Sequence, residues 1–293
     1  MSSSSPAGLA VVDKPAAWTS HDVVAKLRGV LGTRKVGHAG TLDPDATGVL
    51  LVGVGTVTRL LRWLSASTKA YEAEVVLGVE TSTLDAAGDV VATHDMAGVT
   101  EAAVRGAAAR FVGDIEQVPP MVSAIKVGGK RLHELARAGI EVEREARPVR
   151  IDRFDVHPTD DPLVWRVEVD CSAGTYVRTL AADLGTALGG GAHLRALRRT
   201  RSGTFMLAEA VALEAVTVDG LLPPAEALRH LDRVDVDGDV LAAVGHGKVL
   251  PVDDLGVAGA GPWRVLGPGG DLLAVYEAHR PGTAKPAVVL PTR

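Results

Sequence analysis

The chain has 293 residues, which at roughly 150 residues per domain predicts two domains. Hydrophobic residues make up 46% and charged residues 23%, as in globular proteins, and a formal charge of −5 disfavours a uniformly basic nucleic-acid binder. One cysteine excludes an internal disulfide and a multi-cysteine metal site, and no apolar run approaches the ~18 residues of a membrane span, so we expect a cytoplasmic protein without membrane attachment.

Hydrophobic periodicity and turn signals predict an irregular mixture of strands and helices. The predicted strands are 9–12, 71–77, 149–156, 165–171, 263–266, 272–277 and 287–290, and the predicted helices are 19–31, 57–64, 100–112 and 176–188. The segment 37–55 is Gly-rich and apolar, with a polar island at 41–47. Since no regular βαβ repeat is present, the fold class is predicted as α+β with a mainly antiparallel sheet.

Composition shifts divide the chain further. Residues 1–8 are Ser-rich and are predicted as a disordered tail without a secretory signal. The first domain is predicted over 9–220, and a small β-rich module over 228–293 follows a connection that contains two prolines. Within the first domain, 118–149 is a basic excursion that begins at consecutive prolines.

Positive charge is concentrated in four clusters, whereas residues 214–293 hold 7 Lys and Arg against 11 Asp and Glu. Each cluster alone is typical of a solvated surface, but four clusters on one surface would bind phosphates. The sequence leaves these alternatives open. The clusters are Lys26, Arg28, Arg34 and Lys35; Arg59, Arg62 and Lys69; Lys126, Lys130, Arg131, Arg137, Arg144, Arg147, Arg150 and Arg153; and Arg195, Arg198, Arg199 and Arg201.

Several familiar site motifs are absent from the sequence: the phosphate-binding P-loop, the H-E-x-x-H zinc motif and the G-x-S-x-G nucleophile elbow. Gly53-Val54-Gly55 begins a dinucleotide fingerprint but lacks its third glycine. Asp43 and Asp45 are too close in sequence for a typical glycosidase pair.

The most informative remaining segment is 37–48, which reads Gly-His-Ala-Gly-Thr-Leu-Asp-Pro-Asp-Ala-Thr-Gly. Asp43 precedes a proline, which favours extended backbone geometry, and the glycines let a bulky ligand approach. The alternative is an ordinary turn in which Asp43 bonds its own backbone.

Two other segments stand out. Tyr71 begins a predicted strand in a chain with only 3% aromatic residues, and a core tyrosine is the alternative. Arg178 lies at a strand-to-helix junction within 171–178, where a helix-surface ion pair is the alternative.

Together with 193–199, these segments occur in the order found in bacterial tRNA pseudouridine synthases of the TruB type, which the chain resembles over about 9–203. The resemblance implies a pseudouridine-synthase fold that isomerises uridine 55 in the TΨC arm of tRNA after base flipping. It implies that Asp43 is the catalytic carboxylate, that Tyr71 stacks on the target base, and that Arg178 pairs with the carboxylate. It also implies an RNA-gripping insertion at 118–149 and a PUA-like carboxy-terminal module.

Further contacts follow from the same resemblance. His38 is expected at the flipped nucleotide, Leu197 in the uracil pocket and Lys14 in a Lys-Pro pair near the amino end. The predicted substrate and RNA contacts are Lys14, His38, Thr41, Leu197, Lys126, Lys130, Arg131, Arg198 and Arg199.

Such an isomerisation gains and loses no atoms or electrons, so we expect no cofactor and no metal. The expected partner is tRNA, with no obligatory protein partner, and the lack of coiled-coil heptads favours a monomer. Three alternatives stay open: a non-catalytic RNA-binding or RNA-folding protein, a synthase guided by a separate RNA, and a hydrolase that releases uracil. Attack at C1′, attack at C6 and proton removal at C2′ also remain open.

Overall fold

A computed structural model of the chain describes residues 6–123, 125–127 and 129–291. Its contacts divide the chain into two units. The first unit lies within Met1–Pro44, Gly48–Ala66 and Ser202–Arg293, and the second lies within Asp45–Thr47 and Ser67–Arg201. Most of the predicted tail lies outside the described residues, although its last residue, Gly8, begins the first strand.

The amino-terminal part of the first unit contains three antiparallel strands. Both β1 and β2 pair antiparallel with β3. The helix begins after Thr19, whose side chain and that of Asp22 form a reciprocal capping box. The elements are β1 (Gly8–Lys14), α1 (Ser20–Val30), β2 (Val36–Ala39), β3 (Thr47–Val54), a 3₁₀ segment (Gly55–Leu60) and α2 (Leu61–Ser65).

The second unit contains five neighbouring strands in the order β12-β4-β11-β10-β7. From β4 to β7, each strand pairs antiparallel with the next strand in this order. Side chains of the sheet form one core with α3 and α5. The elements are β4 (Lys69–Leu77), β5 (Val79–Thr81), β6 (Val90–Thr93), α3 (Glu101–Ala109), β7 (Gly113–Gln117), β8 (Lys126–Val127), β9 (Lys130–Arg131), α4 (Leu132–Arg137), β10 (Arg147–Pro158), β11 (Val164–Cys171), α5 (Val177–Ala187) and β12 (Ala192–Ser202).

The carboxy-terminal part of the first unit adds a five-stranded sheet with the order β15-β17-β18-β19-β16, while β14 pairs parallel with β1. The elements are β13 (Phe205–Met206), β14 (Val211–Ala212), α6 (Pro224–Ala227), β15 (Asp232–Asp235), α7 (Gly238–Gly245), β16 (Leu250–Pro251), α8 (Val252–Leu255), β17 (Trp263–Leu266), β18 (Leu272–Ala278) and β19 (Thr283–Val289), with 3₁₀ segments at Leu207–Glu209 and Leu213–Ala215.

The first unit has a hydrophobic core that joins the two ends of the chain. One ion pair and one hydrogen bond also link these parts of the chain. Arg62 pairs with Glu277 at 2.7 Å, and Arg59 donates to the carbonyl oxygen of Val289 at 2.7 Å. The carboxy-terminal strands therefore cover apolar surface of the amino-terminal strands. Residues of the shared core include Leu9, Val11, Leu51, Leu60, Leu64, Leu266, Leu272, Val275, Val288 and Leu290.

The predicted α+β class with a mainly antiparallel sheet is confirmed. The structure adds two strands, β2 and β3, to the segment 37–55, for which no strand was predicted. All but the first residue of β3 are buried, so the strand lacks the alternation that marks a half-exposed strand. None of the helices in the described ranges has the length and apolar character needed to span a bilayer.

Leu60 tests the shared core, because its side chain is 0% exposed and packs among residues from both ends of the chain. Leu60→Ala should lower the free energy of unfolding by about 2–5 kcal/mol, through lost burial and an unfilled cavity. Urea denaturation followed by circular dichroism measures this change. Val218→Ala, at a position that is 50% exposed, is the control and should shift stability by less than about 0.5 kcal/mol. Equal effects from both variants would contradict a shared core.

Candidate active site

Asp43 lies in the loop that connects β2 to β3, in the first unit. The glycines on either side adopt positive φ angles, 87° at Gly40 and 99° at Gly48, which residues other than glycine rarely adopt. These glycines therefore permit the backbone turns on either side of Asp43.

Lys14 anchors the residue that follows Asp43. Its side chain is 0% exposed, and its ammonium group donates to the carbonyl oxygens of Pro44 at 2.8 Å, Pro15 at 2.9 Å and Trp18 at 2.5 Å. A buried ammonium group needs such acceptors because it has lost its hydration. Lys14 was predicted to contact RNA, and that contact stays a prediction. In this structure the buried side chain instead binds the Asp43 loop.

Ser20 anchors the residue that precedes Asp43. Its hydroxyl group accepts from the backbone N–H of Leu42 at 2.9 Å and donates to the carbonyl oxygen of Leu42 at 3.1 Å. Ser20 is 1% exposed and begins α1, so the helix holds the loop through a fully buried contact. Both neighbours of Asp43 are thus fixed by buried side chains.

His38 and Thr41 belong to the same unit as Asp43. His38 lies on β2, is half-buried, and contacts the ring of His21 edge-on, with 5.2 Å between the ring centroids. Thr41 is exposed on the loop. The chemistry expected of both residues, contact with a nucleotide, stays a prediction.

Tyr71 and Leu197 both lie in the second unit, where they are half-buried and pack against the same hydrophobic core. Tyr71 lies on β4 opposite Val169 of β11. Two residues earlier, burial together with the positive charge of Arg199 lowers the pKa of Lys69 to about 8. Burial raises the pKa of the Cys171 thiol, opposite Lys69, to about 11, so this cysteine is a poor nucleophile at neutral pH.

Arg178 occupies the first turn of α5 and is only 3% exposed, so the alternative of a helix-surface ion pair is wrong. One terminal nitrogen, Nη1, donates to the carboxylate of Asp85 at 3.0 Å and to the carbonyl oxygen of Thr83 at 3.1 Å. The other, Nη2, donates to the carbonyl oxygen of Val122 at 2.8 Å. The guanidinium group is therefore held in a defined orientation by at least three acceptors.

Asp85 is a site residue that the sequence reasoning missed. While Oδ2 accepts from Arg178, Oδ1 accepts from the hydroxyl of Thr83 at 2.5 Å and from the backbone N–H of Ala87 at 3.1 Å. The preceding Leu84 has a φ of 63°, an uncommon conformation for a residue with a side chain. The sequence around Asp85 is typical of a turn, and nothing in it indicates an arginine partner 93 residues away.

Among the described residues, the basic clusters differ in how many of their Lys and Arg side chains form ion pairs or hydrogen bonds within the protein. In the second cluster, Arg59 and Arg62 hold the carboxy-terminal strands. In the fourth, Arg195 pairs with Glu74, Arg198 donates to Thr47, Arg201 pairs with Asp170, and Arg199 is 1% exposed. In the first cluster, Lys26, Arg34 and Lys35 are exposed without an ion pair among the described residues. The side chains of Lys126, Lys130 and Arg131 lie outside the described part of the structure.

The predicted site residues therefore fall into two groups. The first unit holds Lys14, His38, Thr41 and Asp43; the second holds Tyr71, Arg178, Leu197, Arg198 and Arg199. Pairing of Asp43 with Arg178 stays a prediction. Among the described residues, no three side chains of the His, Cys, Asp and Glu types are grouped as metal ligands.

Two family models cover most of the chain. The model described as TruB family pseudouridylate synthase, N-terminal domain, matches residues 28–177. The model described as tRNA pseudouridylate synthase B C-terminal domain matches residues 178–231.

Curated relatives are similar over nearly the full length. The tRNA pseudouridine synthase B of Mycobacterium sp. strain KMS is 47% identical and covers 97% of this chain and 96% of its own. Its counterpart in Arthrobacter sp. strain FB24 is 46% identical and covers 96% of both chains. That of Symbiobacterium thermophilum is 55% identical over 80% of both chains.

Solved structures share the fold. A chain in a Cbf5–Nop10–Gar1 complex matches with a TM-score of 0.73 and 30% identity, covering 92% of this chain and 78% of that chain. A chain in an archaeal box H/ACA Nop10–Cbf5 complex matches with a TM-score of 0.71 and 26% identity, covering 97% and 85%.

Ser20→Ala should destabilise the protein by about 1–3 kcal/mol, because both backbone groups of Leu42 lose their buried partner. Chemical denaturation measures the loss. Lys26→Ala on the exposed side of the same helix is the matched control, and we expect a change below about 0.5 kcal/mol. A denaturation midpoint for Ser20→Ala equal to that of Lys26→Ala would refute the anchoring of Leu42.

Proposed function

The chain belongs to the TruB family of pseudouridylate synthases, and we propose that it converts the uridine at position 55 in the TΨC arm of tRNA to pseudouridine. The observation that carries this proposal is the buried anchoring of the Asp43 loop, by Ser20 at Leu42 and by Lys14 at Pro44. A carboxylate whose two neighbours are immobilised is suited to chemistry on a bound nucleoside, because its orientation is set before the substrate arrives.

The reaction explains which groups the protein must supply. The N1–C1′ bond of the uridine breaks, the uracil turns, a C5–C1′ bond forms, and a proton leaves C5 while N1 gains one. Atoms and electrons balance within the substrate, so the chemistry calls for no nucleoside triphosphate, redox cofactor or metal.

Asp43 is the proposed catalytic residue. Its carboxylate acts as a nucleophile at C1′ or C6, or as a base at C2′, and each route passes through a short-lived intermediate. All three routes require an ionised carboxyl group, which an adjacent arginine favours. Arg178 is the proposed source of that positive charge.

Asp85 gives Arg178 its orientation in this proposal. The carboxylate of Asp85 is itself held by Thr83 and Ala87, so the arginine is positioned by a group that is already fixed. Because a guanidinium group is planar and donates in fixed directions, the orientation of this group decides which way its remaining N–H bonds point.

Tyr71 and Leu197 are proposed to receive the flipped base. Extruding the uridine from the RNA stack costs a few kcal/mol, and stacking on an aromatic ring returns about 1–3 kcal/mol per base. Their packing on one hydrophobic core gives the base a rigid apolar support. Tyr71 is also proposed to help remove the C5 proton, while His38 and Thr41 contact the nucleotide.

We propose that tRNA binds to Lys126, Lys130 and Arg131 of the insertion at 118–149. Arg198 and Arg199 are proposed as further RNA contacts. We further propose that the protein acts as a monomer in the cytoplasm, where its tRNA substrate is found. A PUA-like role for residues 228–293 is part of the same proposal.

A synthase guided by a separate RNA is the second candidate, because the similar solved chains come from Cbf5 complexes with protein partners. The two functions differ in what they require. Pseudouridine formation by the purified chain on a bare TΨC stem-loop would support independent action, whereas activity only after addition of a guide RNA would support the second candidate.

Asp43→Asn should reduce pseudouridine formation by a factor on the order of 10⁴, because the amide can serve neither as nucleophile nor as base. Tritium release from tRNA labelled at uridine C5 measures the rate, and filter binding measures tRNA affinity, which should not change. Asp45→Asn is the matched control: it alters an exposed carboxyl group in the same loop and should retain wild-type activity. Near-normal turnover by Asp43→Asn would refute the assignment.

Asp85→Asn should slow single-turnover pseudouridine formation by about 10–100-fold, because loss of the ion pair lets the guanidinium group of Arg178 move. Affinity for tRNA should be retained. The control is Asp89→Asn, which changes an exposed carboxyl group at the end of the same turn. If both variants have the same rate, Asp85 does not orient the catalytic arginine.

A further inference from the structure

Gln117 is a buried polar residue that the mechanism above does not use. It ends β7 and is 2% exposed. Its side-chain amide forms two reciprocal bonds with the backbone of Tyr176, 59 residues away: Nε2 donates to the carbonyl oxygen at 3.1 Å, and Oε1 accepts from the N–H at 2.7 Å. Reversing the amide would place like groups against each other, so the side chain has one favourable orientation.

Tyr176 is the N-cap residue of α5, and no side-chain cap bond is formed by Tyr176 itself. Its carbonyl oxygen accepts from the backbone N–H of Leu180 in the first helical turn as well as from Gln117. The start of the helix is therefore held from outside by Gln117. Arg178 follows two residues later, so the position of the first turn of α5 determines the position of the Arg178 backbone.

The segment that follows Gln117 also contacts Arg178. Pro119 and Pro120 restrict the backbone, and the carbonyl oxygen of Val122 accepts from Nη2 of Arg178 at 2.8 Å. The segment 117–122 is thus attached twice, to the backbone of Tyr176 at one end and to the guanidinium group of Arg178 at the other. Residues 118–122 of this segment are the first residues of the proposed insertion at 118–149.

We propose that Gln117 is a positioning residue for Arg178. It touches neither the substrate nor the reacting atoms; it fixes the first turn of α5 and the segment that supplies the Val122 acceptor. The inference rests on the proposed function, since it concerns the arginine of that site. It predicts that loss of the amide impairs the chemical step more than it impairs tRNA binding.

The test compares three variants. Gln117→Met removes both bonds at nearly constant size. Gln117→Glu keeps the acceptor for the Tyr176 N–H but, when ionised, replaces the donor with an oxygen that faces the Tyr176 carbonyl oxygen. Glu116→Met places the same new side chain as Gln117→Met at the exposed neighbouring position of β7. Single-turnover rate constants are measured with saturating enzyme and unmodified tRNA, tRNA affinity by filter binding, and thermal midpoints by calorimetry.

Gln117→Met should lower the rate constant by about tenfold or more while tRNA affinity stays within about twofold of wild type. Gln117→Glu should also lower the rate constant, because its second carboxylate oxygen faces the carbonyl oxygen of Tyr176, and Glu116→Met should match wild type. If Gln117→Met does not fold, a lowered rate with wild-type tRNA affinity for Gln117→Glu supports the proposal.

An unchanged rate for both Gln117 variants would overturn the inference, as would a rate loss accompanied by an equal loss of tRNA affinity. The failure of the proposed function looks different. In that case the wild-type protein itself forms no pseudouridine in tRNA, whereas an active wild type with active Gln117 variants rejects only the positioning role.

Discussion

The buried ammonium group of Lys14 is the interaction on which the proposed active site depends. Its bonds to three carbonyl oxygens tie the end of β1 to the residue after Asp43, while Ser20 ties the start of α1 to the residue before it. Both anchors are costly to break, because each would leave buried polar groups without partners. The course of the backbone on both sides of Asp43 is thereby built into the fold of the first unit.

The second unit holds the buried guanidinium group of Arg178 in a defined orientation. Arg178 is buried with acceptors that come from two separate segments: the turn that contains Thr83 and Asp85, and the start of the insertion at Val122. Arginines of the basic clusters form ion pairs within the protein, as Arg62 does with Glu277 and Arg201 does with Asp170. Clustering along a sequence reports the charge but not the carboxylates that neutralise it.

Much of the fold could be predicted from the sequence, and the reasons are local. The strand 9–12 and the helix 19–31 carry their own signals, an apolar run and a capping residue followed by a terminal glycine, and both are confirmed. The strand β12 was missed because its four arginines conceal the pattern, and β3 because burial removes alternation. Asp85 and Gln117 were missed because their roles depend on partners 93 and 59 residues away, which only the folded chain identifies.

The shared core of the first unit has a consequence for how the protein is made. Leu9 and Val11 leave the ribosome well before Val288 and Leu290, with which they share a core. At about 5–20 residues per second, translation delays completion of that core by an interval on the order of tens of seconds. The second unit, nearly continuous in sequence, has all its strands once Arg201 emerges. The nascent chain therefore carries unfinished apolar strands through most of its synthesis, and newly made protein is most exposed to aggregation before termination.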